Sequence, residues 1–320
     1  MESLMVRIKQ QRPKREKQAA MTHEIGEPPQ GPSFFRPWLL VCVVSGIACI
    51  VFGPRLFRSL PDISQRPEYR LATREIHLTT TPPYWVPAGF VDQVIAKAGL
   101  PETVSLVDEQ LTKVIGAAFR LHPWVEKVVR VTKALPAQVD VELVYRAPVA
   151  MIQGKQGVYP IDAQGILLPP GDFSTADALR YPLIVNVNSL PQGQPGEIWG
   201  DAVAEGAAQL AAVLTPRWKE FKLASIECPS RTQAESSVDG GVYYLYTTGG
   251  SKITWGRAPG AVHPGELSAE IKIGRMEDLV TRFGGFDQPN GPYRIDIRPW
   301  QEITVKPLHP RQSDRDVPLR

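Results

Sequence analysis

The chain has 320 residues, 43% of them hydrophobic, enough for two modest cores with flexible ends. Its formal net charge of +3 is small for that length, so the overall balance gives no argument for nucleic acid as a partner. Three cysteines, two of them (Cys42 and Cys49) inside the longest apolar run, rule out an intrachain disulfide framework in the remainder, and five scattered histidines offer no close ligand set for a structural metal.

Residues 1–37 form a leader with no apolar face. Its basic cluster is Arg7, Lys9, Arg12, Lys14, Arg15 and Lys17, and the Pro-, Gly- and acid-rich 23–33 has the composition of a disordered tether. A solvated leader is the plainer reading of the cluster, and contact with anionic lipid the other. No residue from Trp38 to Phe52 is charged, and with Arg55 snorkelling the apolar character continues through Phe57. This predicts a transmembrane helix over 38–57, of about twenty residues and roughly 30 Å, carried by Trp38, Leu39, Leu40 and Val41 at one end and by Val51 and Phe52 at the other. Gly53-Pro54 leaves room for an earlier stop, as in a buried helix or a cleaved signal, but the run is not followed by a small-residue cleavage site and a long leader precedes it. Charge leaves the orientation open: only Arg36 is near on one side, against Arg55, Arg58, Arg66, Arg70 and Arg74 on the other.

Residues 69–145 predict a first α+β domain. Arg74 to Leu78 alternates as a strand, and Pro82, Pro83 and Pro87 force a loop. Phe90, Val91, Val94, Ile95 and Ala98 have helical spacing, ended by Gly99-Leu100-Pro101. Ser105 and Asp108 predict a capping box ahead of a second helix carrying Leu111, Val114, Ile115, Ala118 and Phe119. Val125, Lys127, Val129 and Val131 are expected on one face of a strand, and after a turn at Pro136 a second strand carries Val139, Val141, Leu143 and Tyr145. The order β-α-α-β-β is that of a POTRA domain.

Here the residues become specific. His122-Pro123-Trp124-Val125, then Val128, Val131, Leu135-Pro136, Val139, Val141 and Arg146-Ala147-Pro148-Val149-Ala150, resemble the pattern of the bacterial cell-division family FtsQ (DivIB). Tyr159-Pro160-Ile161-Asp162-Ala163-Gln164-Gly165-Ile166-Leu167 is similar to its continuation, with Gly165 expected in a hairpin turn after Asp162. Tyr145 stands where that family has glutamate, Pro299-Trp300 and Gln301-Glu302 also depart from it, and the first strand lacks its Val-Gly, as in a divergent member.

Residues 146–307 predict a second, mixed β-rich domain with two helices, 308–320 being a charged tail. Strands are expected at 149–152, 183–187, 223–226, 242–247 and 252–255, and helices at 201–214 and 269–283, the latter with a buried stripe of Ile273, Met276, Leu279, Val280 and Phe283. Gly249-Gly250-Ser251-Lys252-Ile253 with Trp255-Gly256-Arg257, and Tyr293-Arg294-Ile295-Asp296-Ile297-Arg298, resemble the second-domain signatures of the same family.

No Gly-x-Ser-x-Gly elbow and no P-loop is present; Gly240-Gly241 and Gly249-Gly250 read as hairpin ends. We therefore expect no enzyme, cofactor or small-molecule substrate. The resemblance implies a scaffold in the inner membrane, N-terminus cytoplasmic and bulk outside, holding FtsB-like and FtsL-like single-pass proteins, with the POTRA domain as a place for other septal proteins, and linked to septal peptidoglycan synthesis. POTRA modules also serve protein export and outer-membrane assembly, a role that would want repeated units or a following barrel. The partner site is expected at Arg298, Trp300, Ile303, Thr304 and Val305, because no later strand is available to cover that edge and FtsQ-like proteins receive FtsB along their last strand. The plainer reading has Ile303 and Val305 in the core, Trp300 as a cap and Arg298 paired with an acid.

Overall fold

The computed structural model describes residues 37–59, 66–230, 232, 241–261 and 263–308. The basic leader, apart from Pro37, and the tail beyond Leu308 lie outside the described residues, as does Gly240. Residues 1–61 and 62–320 form two separate units.

In the first unit, α1 is a 23-residue helix, Pro37–Ser59, unbroken at Gly53-Pro54. Its apolar side chains are exposed, Trp38 to 71% and Ile50 to 75%. Among the described residues no helix is long and apolar enough to cross a membrane. The described apolar side chains run only from Trp38 to Phe52, and about fifteen residues rise about 23 Å, short of a hydrocarbon layer of about 30 Å.

The second unit is mixed α+β with two hydrophobic cores. In the first, strands β2 (His77–Leu78), β5 (Gln138–Tyr145) and β4 (Val125–Ala134) form a sheet in that order, with β2 parallel to β5. Helices α2 (Phe90–Ala98) and α3 (Leu111–Arg120) share its core. Phe90 and Val94 meet Ile115 and Phe119 over Val139, Val141 and Leu143, the alternate residues of β5. Gly99 closes α2 in the left-handed conformation, φ 62°, as expected of a glycine there.

Three local expectations fail. Arg74 to Leu78 is not one strand, because Thr73–Glu75 forms a 3₁₀ turn between β1 (Arg70–Ala72) and β2. The Ser105–Asp108 capping box does not form: Ser105 belongs to β3 (Thr103–Ser105), paired with Arg70 of β1, so α3 starts at Leu111 without a side-chain cap. Val125, Lys127, Val129 and Val131 do not share a face, because two register shifts re-aim β4 and turn Val128 and Val131 to the core while Val129 is left 45% exposed.

The second core lies on one eight-stranded sheet. Its order is β7 (Gly157–Asp162), β6 (Pro148–Gly154), β8 (Leu183–Val185), β9 (Leu223–Glu227), β10 (Tyr243–Thr247), β11 (Lys252–Gly256), β12 (Tyr293–Asp296) and β13 (Thr304–Pro307). The short helix α4 (Thr175–Ala178) precedes β8; α5 (Ala202–Leu214) connects the parallel pair β8–β9, and α6 (Ala269–Phe283) the parallel pair β11–β12. Both crossover helices pack on the sheet through that core. Asp201 and Ser268 cap them by accepting hydrogen bonds from Val203 N–H and Ile271 N–H. Gly206 lets α5 approach closely: a Cβ there would lie 2.5 Å from the Tyr243 hydroxyl, which donates to Val203 O. In the stripe of α6, Met276 and Leu279 are buried and Ile273 and Val280 partly so, but Phe283 is 54% exposed because the helix ends one residue later at Gly284.

The two cores are joined by buried polar bonds. Arg146 pairs with Asp162 at 2.8 Å, their side chains 13% and 6% exposed. Trp124 Nε1 donates to Asp172 Oδ2 at 2.7 Å, and Leu168, from the second segment, is buried in the first core. The expected turn is present: Asp162 Oδ1 accepts from Gln164 and Ile166 N–H, and Gly165 has φ 82°.

Candidate partner-docking edge

The eight-stranded sheet has two ends, and they differ. The β7 end is flanked by 166–168, with Leu168 N–H donating to Pro160 O and Asp162 N–H to Ile166 O. At the other end, all four residues of β13 are exposed, and no hydrogen bond reaches the outer side of the strand among the described residues.

Register decides which β13 groups face outward. β13 is antiparallel to β12, with Thr304 opposite Asp296, Val305 opposite Ile295, Lys306 opposite Arg294 and Pro307 opposite Tyr293. One residue further, Leu308 N–H donates to Pro292 O at 2.8 Å. Because antiparallel pairs alternate between bonded and non-bonded, Lys306 and Thr304 point their backbone groups into the sheet, while Val305 points its N–H and C=O outward. Tyr293 N–H confirms the alternation from the other side, donating to Ser251 Oγ next to β11. Pro307, which has no N–H, occupies an outward position, where a proline costs the ladder nothing.

The two faces of this edge have different chemistry. Val305, half-exposed, shares a face with Ile295 and borders an apolar hollow of about 250 Å³ walled by Leu279, Phe283, Phe286, Pro289 and Tyr293. On the opposite face Arg294 and Lys306 lie directly across from each other. Neither has an acidic partner among the described residues, an arrangement that costs stability in an isolated sheet.

The expected site residues separate into distinct roles. Thr304 and Val305 lie on the edge, and Ile303 is partly buried against the second core. Arg298 grips Asp296, with Nε to Oδ1 at 2.9 Å and Nη2 to Oδ2 at 2.7 Å. Burial alone would push the Asp296 carboxyl up, but these bonds outweigh it and hold the group below the usual range. Trp300 is 67% exposed, its indole N–H donating to Gly265 O at 3.1 Å. The loop before β13 is clamped by Arg275 of α6, which donates to Ile297 O at 2.9 Å and to Trp300 O at 2.7 Å. The sequence reading did not single out Arg275 or Lys306, and it placed Phe283 in a buried stripe and not beside the hollow. Only Arg294 carried a local signal, through its alternation with Ile295 and Ile297.

Beyond the edge, the described residues include no group of three or more metal-type ligands. His122 is enclosed, its ring bonded to Gln93 Oε1 at 3.1 Å; burial, then nearby Lys97, lowers its pKa to about 4, so it is a neutral packing group. No family model matches the chain, and no curated protein matches it.

Proposed function

We propose that the protein is a non-catalytic scaffold, anchored in the inner membrane by α1 with its N-terminus cytoplasmic, whose β13 edge receives a strand from another single-pass protein of the bacterial division complex. The observation that carries this reading is the outward N–H and C=O of Val305 beside an apolar hollow. The incoming strand places an apolar side chain next to Val305 and, one residue along, a carboxylate next to the Arg294–Lys306 pair. Partners of the FtsB and FtsL type, and a link to septal wall synthesis, follow from the resemblance of the 122–150 and 293–298 segments to the FtsQ family. For membrane anchoring, the observation behind the proposal is the exposure of the described apolar side chains of α1 from Trp38 to Phe52.

The test is made in the cells that encode the protein. A fluorescent fusion of the full chain is expected to gather at the division septum, and co-purification from detergent is expected to bring down small single-pass division proteins. Uniform distribution together with an absence of such partners refutes the reading.

A further inference from the structure

On a different surface, away from β13, a cavity of about 270 Å³ opens between the loop at 84–88 and the segment 172–181. We propose that it is a cation cage that takes the arginine side chain of another protein's exposed segment.

Four rings form its walls. Tyr84 is 75% exposed and stands edge-on to Trp85 with centroids 5.0 Å apart, while Phe173 and Tyr181 meet edge to face at 6.1 Å. The walls are held before any ligand arrives. Trp85 Nε1 donates to Arg146 O at 3.0 Å, Phe173 packs on buried Trp124 at 5.8 Å, and the Tyr84 and Tyr181 hydroxyls meet at 3.5 Å. Burial, then the bond to Tyr84, raises the pKa of the Tyr181 phenol, so the ring stays neutral.

Charge selects the ligand. The cavity carries two carboxylates, Asp172 and Asp177, and one cation, Arg180. Arg180 is committed to Asp177 at 3.4 Å, and Asp177 is further bound by Ser174 Oγ at 2.6 Å. Asp172 gives Oδ2 to Trp124 Nε1, but its Oδ1 accepts no hydrogen bond and it has no ion pair among the described residues. A net negative charge among four aromatic rings suits a cation, and a planar guanidinium can stack on an aromatic ring while donating to a carboxylate such as Asp172. An anionic ligand would face Asp172, and a neutral sugar would leave its charge uncompensated.

The test uses the full chain in detergent micelles and titration calorimetry with a blocked Gly-Arg-Gly tripeptide, its citrulline counterpart and a chitin trisaccharide. Citrulline keeps the shape of arginine and removes the charge. The arginine peptide is expected to bind at least about tenfold more tightly than the citrulline peptide. Tyr84→Ala, which removes an exposed wall, and Asp172→Asn, which retains an acceptor for Trp124, are each expected to weaken it several-fold. Val305→Pro should leave it unchanged, which separates this site from the docking edge. Equal binding of the two peptides, binding of the sugar in place of arginine, no saturation by the arginine peptide up to about 10 mM, or indifference to Tyr84→Ala overturns the proposal.

Discussion

The register of β13 makes neighbouring prolines act in opposite ways. Val305 turns its N–H outward and Thr304 turns its N–H toward Asp296. Val305→Pro therefore removes a donor that only a partner can use. The partner's carbonyl is left unpaired at a cost of about 1–3 kcal/mol, or about 5- to 150-fold in Kd. Thr304→Pro removes a bond inside the sheet and should cost the folded protein about 1–3 kcal/mol, a fall in Tm of roughly 2–12 °C for a unit of this size. Val305→Ala is the control, since it loses half-exposed side chain but keeps the N–H. The assay pairs thermal unfolding with capture of the co-purifying single-pass partner. The expected pattern is folded but non-capturing for Val305→Pro, destabilised for Thr304→Pro, and only mildly affected on both counts for Val305→Ala. Undiminished capture by a folded Val305→Pro protein would remove strand addition at this edge, and with it the proposed docking mode.

Three further outcomes are expected. Cys228 is buried, so it cannot report topology; Gln156→Cys, on the exposed β6–β7 turn, in a background lacking Cys42 and Cys49, should react with an impermeant thiol reagent in intact spheroplasts, and reaction only after lysis reverses the proposed orientation. Because the folded-state pKa of His122 lies near 4, below its ordinary value of 6.5, the unfolded chain binds the extra proton as pH falls from about 6.5 to 4, and stability should drop by about 2 kcal/mol across that window. Denaturant unfolding at pH 7 and 4.5 checks this, and His122→Gln should flatten the difference. A Cβ at Gly249 would lie 2.3 Å from Asp287 Cγ, so Gly249→Ala must push Asp287 off Thr247 Oγ1 and Ser251 N–H; a loss of about 1–3 kcal/mol is expected, and unchanged unfolding would show that the loop yields freely.

The parts of the fold legible in sequence are those where one local period decides the outcome. Phe90 to Ala98, Val139 to Tyr145 and the helix after Ser268 each bury a regular face, and the turn after Asp162 follows from a carboxylate and a glycine three residues apart. What escaped depended on distant chain. Ser105 looked like a helix cap until Arg70, thirty-five positions earlier, claimed it for a strand. The face of β4 was lost because bulges shift the period without marking the sequence. Lys272, 2% exposed on α6, sits in the core only because Glu266 binds it and Trp255 lies beneath its ammonium at 4.8 Å. The proposed docking segment was locatable because Ile303 to Val305 is an apolar run after the 293–298 strand. Its polarity was not: whether Thr304 or Val305 faces outward depends on a single step of register against β12, which composition does not encode.

The unequal ends of the eight-stranded sheet set its valence. The 160–162 part of β7 is flanked by its own following segment, whereas β13 is open among the described residues, so under the proposed docking mode a strand would be added at the β13 end and addition would stop after one event unless that strand brought an edge of its own. Two copies joined through this edge would meet β13 to β13. Their Arg294–Lys306 pairs would then face each other with no carboxylate between them. Under the proposed docking mode, the same charges that would suit an acidic guest would discourage a second copy, and the β13 edge would act as a monovalent socket and not as a link in a growing chain.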